Sequence, residues 1–351
     1  MIKEVMSEEI HIGATLAELG VSLPEHDRAL LVTDSNVQRL LPEILRGTVL
    51  DELPVAVIEA GEKNKTLDSA THLWREMQRH GLTRSSIVVN VGGGMVTDIG
   101  GFAAATFKRG VRFVNVATTL LGAVDASVGG KTGIDFDGHK NQIGVFAEPS
   151  ATYVPLHAFA TLPRGELLSG FGEVLKTAYI GAPELLPQLL ETEALNPEAM
   201  AKTVATCLRV KSEIVEQDPH EHGLRKVLNL GHTAGHAFES LALRRGCPIP
   251  HGIAIAQGLL TALILSHTQL DMPSAHIYSY AEMLRRLFPA VPFTCDDYPE
   301  LLALMRADKK NVADQIRFTL LPTPGDALPD QTVPEKALET ALDITRDLLG
   351  L

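Results

Sequence analysis

Four short β-branched runs punctuate the first 150 residues: ALLVTD from Ala29, PVAVIEA from Pro54, SIVVNVGGG from Ser86 and VRFVNVATT from Val111. Between two of them LDSATHLWREMQRHGL has helical periodicity, with Gly81 placed to cap its end. Strand and helix in alternation imply a mostly parallel sheet covered by helices, an α/β domain. Beyond Pro155 the texture changes, and long amphipathic stretches rich in Leu, Ala and Glu take over. The expected architecture is therefore an α/β domain over 1–155 followed by an all-α domain over 156–351, with AEPSATYVPL leaving the sheet at the boundary. A late apolar piece, IRFTLLP, is the one candidate for a strand or hairpin in the second half.

Composition narrows the function. The formal net charge of -12 argues against general nucleic-acid binding, which needs a basic footprint, but leaves room for a small anion held by a local cluster of Lys and Arg. The opening MIKEVMSEEI does not read as a secretory signal. No uninterrupted apolar run approaches the roughly 18 residues needed to span a bilayer, and IAIAQGLLTALIL, broken by Gln257 and Gly258, reads as a buried helix. The expected location is the cytoplasm, with no membrane partner. Cys207, Cys247 and Cys295 are far apart and odd in number, which fits neither a disulfide framework nor a zinc ribbon; they read as inert buried thiols.

Three stretches carry chemistry. VVNVGGGMVTDIGGF sets Gly92, Gly93 and Gly94 between a buried strand and a helix, where backbone approaches a pyrophosphate closely and a helix N-terminus faces it, although GxGxxG is absent. Asp34, Glu62 and Lys65 follow other strand ends and would join it at the carboxyl edge of the sheet. TTLLGAVDASVGGKTGIDFDGHKNQIG, Thr118 to Gly144, carries Asp125, Lys131, Lys140 and Asn141 among glycines and lacks the periodicity of a structural element; its lysines suit phosphate or carboxylate, and Arg109 precedes it. LNLGHTAGHAFE places His232 and His236 four apart on one helical face, a metal-binding spacing that lacks a third ligand. A helix packed tightly through Gly231 and Gly235 explains the same residues. His251, at a helix start, and Glu173, three before Lys176 in GFGEVLKTAY, could complete a zinc-type donor set; an exposed ion pair is the plain alternative for Glu173 and Lys176.

Together GGGMVTD, TTLLGAVDASVGGKTG, KNQIG, GEVLK, LNLGHTAGHAFE, HGIAIAQG and ADKKN resemble, in order, the 3-dehydroquinate synthases, from about Asp34 to Asn311. The resemblance implies an NAD-binding domain, a metal-binding helical domain and an active site in the cleft between them. It implies Zn2+ (or Co2+) on Glu173, His232 and His251, with His236 beside the metal and not on it. Lys131, Lys140, Asn141, Lys176, Lys211, Arg225, Asn229 and Lys309 would hold substrate carboxylate and phosphate, with Lys310 the alternative to Lys309 and Arg109 reaching the partner's site in a homodimer. NAD would meet Asp34, Asn36, Glu62, Lys65, Gly93, Gly94, Met95, Asp98, Thr118, Thr119, Asp125, Lys131, Lys140 and Thr161. The implied reaction converts 3-deoxy-D-arabino-heptulosonate 7-phosphate to 3-dehydroquinate in the shikimate pathway of aromatic amino acid biosynthesis. It runs by transient oxidation, phosphate β-elimination, re-reduction and aldol closure. The rival readings are a sister sugar-phosphate cyclase, a metal-dependent polyol dehydrogenase and a catalytically silent regulator.

Overall fold

Six parallel strands form the central sheet, in the order β1-β8-β5-β4-β2-β3. They are β1 (Glu9–Gly13), β2 (Ala29–Asp34), β3 (Val55–Ile58), β4 (Ile87–Gly92), β5 (Arg112–Ala117) and, after the hairpin of β6 (Lys131–Phe136) with β7 (His139–Phe146), β8 (Ala151–Pro155). The computed structural model describes residues 9–137, 139–191, 200–307 and 315–351, so Lys309 and Lys310 lie outside the described residues. The chain divides into two compact units, Met1–Leu162 with Asn196–Leu208, and Pro163–Leu195 with Arg209–Leu351.

The strand runs lack polar alternation because both faces of the sheet are covered. Leu30, Val32 and Val88 enter one core with Ala70, Leu73, Met77, Val96, Ile99 and Phe102, whereas Leu31, Val89, Val91 and Val114 enter a second with Leu16, Leu41 and Ile44. The helices supplying these residues are α1 (Leu16–Leu19), α2 (Leu41–Ile44), α3 (Leu67–Arg79) and α4 (Gly94–Thr106). Each fully buried Leu or Ile contributes about 1.5–3 kcal/mol. α3 starts where the Thr66 side chain accepts the Ser69 N–H and stops before Gly81, whose φ of 67 reverses the chain.

Three expectations need correction. AEPSATYVPL does not leave the sheet: Ala151–Pro155 is a fully buried strand between β1 and β5, with Pro155 as its last residue. The following turn, Leu156–Thr161, buries Ala158 and Phe159, and the His157 N–H donates to Ala14 O. The first unit therefore runs on to Leu162, past the expected limit at 155. The segment around Lys131 to Gly144 is not a loop but the β6–β7 hairpin, preceded by a π-helical turn at Gly122–Ala126. Its alternation is hidden because β7 is exposed along almost its whole length and Gly133 pairs with Gly144. A Cβ on Gly144 would stand 2.3 Å from Thr132 O.

The second unit is mainly helical. Its elements are α5 (Arg164–Gly181), α6 (Leu186–Glu191), the later part of α7 (Met200–Gln217), α8 (His232–Arg244), α9 (His251–Leu270), α10 (Ala275–Leu287), α11 (Tyr298–Arg306) and α12 (Glu335–Leu349). IRFTLLP does form a strand, β9 (Arg317–Thr323), antiparallel to β10 (Asp326–Thr332), so the described residues of this half are helical apart from one hairpin. α9 has the length and apolar composition to cross a bilayer, yet 78% of its most apolar window is buried inside the protein. Cys207 is buried, but Cys247 and Cys295 are exposed, each in a connection outside the long helices.

Candidate active site

In the first unit the polar groups gather at the carboxyl ends of the strands, where the order reverses between β3 and β4 on either side of β2. β4 and β5 pair residue for residue up to Gly92 opposite Ala117, and the Thr118 N–H donates to Gly92 O at 2.9 Å. That register sets Gly93 against Thr119, where a Cβ would lie 2.9 Å from Thr119 Cγ2, and Gly94 against Ala126 at the same distance. Thr118 Oγ1 is buried without a hydrogen-bond partner among the described residues, and Thr119 Oγ1 accepts the Gly122 N–H. Met95 packs half-buried on the core behind.

Lys65 is the buried cation among the described residues of this unit, 2.7 Å from Asp98 and 3.3 Å from Glu62. Burial opposes its charge, but Asp98, Glu62 and Asp135 outweigh that and hold the ammonium above the usual lysine range. Burial likewise pushes the Asp98 carboxyl up, to about 6, against the pull of Lys65. Asp34 uses Oδ1 to accept the Asn36 and Val37 N–H groups, so one oxygen of the expected ribose contact shapes its own turn. Thr161 donates to Ala158 O. Asp135 escaped sequence reading; it accepts the Asn141 N–H and so fixes Asn141 at φ 52, a left-handed conformation that asparagine tolerates. Lys131, Lys140 and Asn141 stand on the hairpin, Asp125 in the π-helical turn, and Arg109 in a tight turn at φ 69.

In the second unit three helices meet through glycine. A Cβ on Gly172 of α5 would stand 2.0 Å from Gly252 O of α9, one on Gly252 1.8 Å from Ser169 O, and one on Gly258 2.3 Å from Gly231 O. Gly231 also needs φ 79 to start α8, and a Cβ on Gly235 would lie 3.0 Å from Ile255 Cα. The close-packing explanation of GHTAGH is thus correct, and it is what brings the polar residues together.

Glu173 is fully buried, and its Oε1 stands 3.7 Å from His232 Nε2 and 3.6 Å from His251 Nε2. Oε1 accepts no hydrogen bond among the described residues, while Oε2 forms a short ion pair with Lys176, itself 2% exposed. The pair is therefore buried and is not the surface pair that its spacing also allowed. His232 directs Nδ1 to Leu230 O at 3.2 Å and His251 directs Nδ1 to Glu239 at 3.1 Å. In a neutral ring these contacts place the proton on Nδ1 and leave the Nε2 lone pair facing Glu173. His236, half-buried, completes a group of three histidines whose ligand atoms lie within 4.8 Å of one another. One carboxylate oxygen without a donor and two or three imidazole nitrogens fit zinc or a similar borderline cation.

Elsewhere in this unit Lys211 is 7% and Arg225 2% exposed, and Asn229 donates to Glu221 at 3.0 Å. Asp218, missed in the sequence, accepts the N–H groups of Gly223, His222 and Arg225. These bonds, with that from Gly223 foremost, outweigh burial and hold its carboxyl at about 2. Arg225 Nη1 donates to Pro219 O.

The 3-dehydroquinate synthase N-terminal family matches residues 55–169 and its C-terminal counterpart residues 170–311. A 3-dehydroquinate synthase of Parabacteroides distasonis is 39% identical over 330 residues, covering 93% of this chain and 94% of the relative. One of Thermococcus kodakarensis is 39% identical, covering 95% and 94%. Among solved structures, the 2-epi-5-epi-valiolone synthase ValA of Streptomyces hygroscopicus, with NAD+ and Zn2+ bound, superposes with a TM-score of 0.83 at 26% identity over 99% of this chain and 98% of that one. A 2-deoxy-scyllo-inosose synthase complexed with carbaglucose-6-phosphate, NAD+ and Co2+ shares the fold at a TM-score of 0.79 and 22% identity, covering 95% of each chain. With both family halves matched in order across the glycine turn and the Glu173, His232 and His251 cluster, the chain belongs to the 3-dehydroquinate synthase family.

Proposed function

We propose that the protein converts 3-deoxy-D-arabino-heptulosonate 7-phosphate to 3-dehydroquinate and phosphate, using NAD and a divalent metal, in the cytoplasm and as a homodimer. The observation that carries this reading is the fully buried Glu173, whose Oε1 faces both His232 Nε2 and His251 Nε2, within a chain that both halves of the family match. Glu173, His232 and His251 would hold the metal, and Gly93, Gly94, Thr118, Asp98 and Lys65 would line the NAD site. When bound, the metal would supply Lewis acidity to a substrate hydroxyl and NAD would supply reversible hydride-accepting capacity.

The chain's own residues bind and orient. Arg225 offers a planar guanidinium to a carboxylate, and the Asp218 hydrogen bonds that fix its backbone reduce the ordering cost of that contact. Lys211 and Asn229 supply further donors for it. Lys131, Lys140 and Asn141 supply charge and hydrogen bonds for phosphate, and Arg109 would serve the partner's site. Lys176 offsets the charge of Glu173 in a buried setting. His236 is placed beside the metal group to hold or move a proton at its imidazole.

Purified protein given the heptulosonate phosphate, NAD and Zn2+ should release phosphate stoichiometrically with 3-dehydroquinate and without net NADH. Absence of release with both cofactors present would refute the proposal. Net NADH from a polyol would favour the dehydrogenase reading, and turnover of a sugar phosphate without a carboxylate the sister cyclases.

A further inference from the structure

His251 lies between two carboxylates, only one of which belongs to the proposed metal set. Its Nε2 faces Glu173 Oε1 at 3.6 Å, and its Nδ1 meets Glu239 Oε2 at 3.1 Å. Glu239 lies on α8 seven residues after His232 and three after His236, so at 3.6 residues per turn the helix presents all three on one face. Its side chain is 14% exposed and that of His251 29%, so the contact is largely but not fully withdrawn from solvent. His232 meets the same need locally, through Leu230 O two residues away. His251 begins α9 and gains its acceptor from the neighbouring helix.

We propose that Glu239 is a positioning residue for the metal site: by accepting the His251 Nδ1–H it fixes ring orientation and tautomer, so that Nε2 carries a directed lone pair toward the metal. A carboxylate on the distal imidazole nitrogen also raises the basicity of the ligating one, and losing such a partner typically costs about 10–100-fold in metal affinity. The inference rests on the metal reading of Glu173, His232 and His251. It adds a residue twelve positions before the ligand it serves.

The test is Zn2+ affinity of the full chain by chelator competition, with the visible spectrum of the Co2+ form as a second readout, for wild type, E239A, E239Q and an E173A control. E239A should lose about 10–100-fold in Zn2+ affinity and shift the Co2+ bands, while the metal-free melting temperature changes little. E239Q keeps an acceptor oxygen without the charge and should recover part of the loss. Wild-type affinity and spectrum in E239A, with metal lost in E173A, would overturn the role of Glu239 alone. Wild-type affinity in E173A would overturn the metal reading and this inference with it.

Discussion

The two polar sites of this protein are assembled by opposite means. In the first unit, Gly93 and Thr118 stand at the adjacent ends of β4 and β5, where the register of the two strands brings them close, and Lys65, just before α3, reaches Asp98 in the first half of α4. In the second, Glu173, His232 and His251 come from three helices that meet only because Gly172, Gly252, Gly231 and Gly258 remove the side chains between them. A sheet edge supplies proximity as a consequence of topology, whereas a helical site depends on each close approach separately. Single substitutions should therefore damage the second site more than the first.

The largest effect is expected at Glu173. Glu173→Ala breaks the buried ion pair with Lys176, a loss of about 3–5 kcal/mol by chemical denaturation, together with bound metal. A cost under about 1 kcal/mol would show that the pair is solvated in practice. Gly252→Ala comes next. Its Cβ would meet backbone at 1.8 Å, which should cost at least the usual 1–3 kcal/mol of overpacking, roughly, and weaken metal binding as α5 and α9 separate. Unchanged metal affinity in that variant would break the link between helix approach and ligand geometry.

These contrasts explain what the sequence made legible. The strands β2 to β5 are readable because runs such as ALLVTD and SIVVNVGGG are apolar on both faces, and the glycine turn because three glycines follow one of them. β8 was hidden by its flanking prolines, and the β6–β7 hairpin by glycines that serve cross-strand contact in place of apolar alternation. At the metal site the residue types and the i, i+4 spacing were visible, but motif spacing alone could not tell ligands from neighbours. Glu239 and Asp218 were not legible at all: each acts through a fold-dependent hydrogen bond, and an isolated acidic residue carries no spacing signal.

In the first unit Gly94→Ala should have a milder effect, because its Cβ would meet only the Ala126 side chain, at 2.9 Å. Calorimetric titration should show weaker NAD binding with metal content intact; loss of both would mean that the two sites fail together. The smallest effect concerns pH. Asp218 is held near 2 in the folded chain against an ordinary value near 3.8, so its contribution is complete above the unfolded value and disappears as pH falls through about 2. Asp218→Asn should therefore flatten the decline in melting temperature between about pH 4 and pH 2 relative to wild type. Parallel curves would show that the three N–H contacts add nothing to stability.

In the proposed site, close helix packing makes Glu173, His232 and His251 the metal ligands, with His236 adjacent. Metal content of purified His232→Ala and His236→Ala, measured by elemental analysis after equilibration with Zn2+, tests it directly. His236→Ala should retain its zinc and lose turnover, whereas His232→Ala should lose its zinc. Equal loss of metal in both variants would contradict it and assign the site to the three histidines.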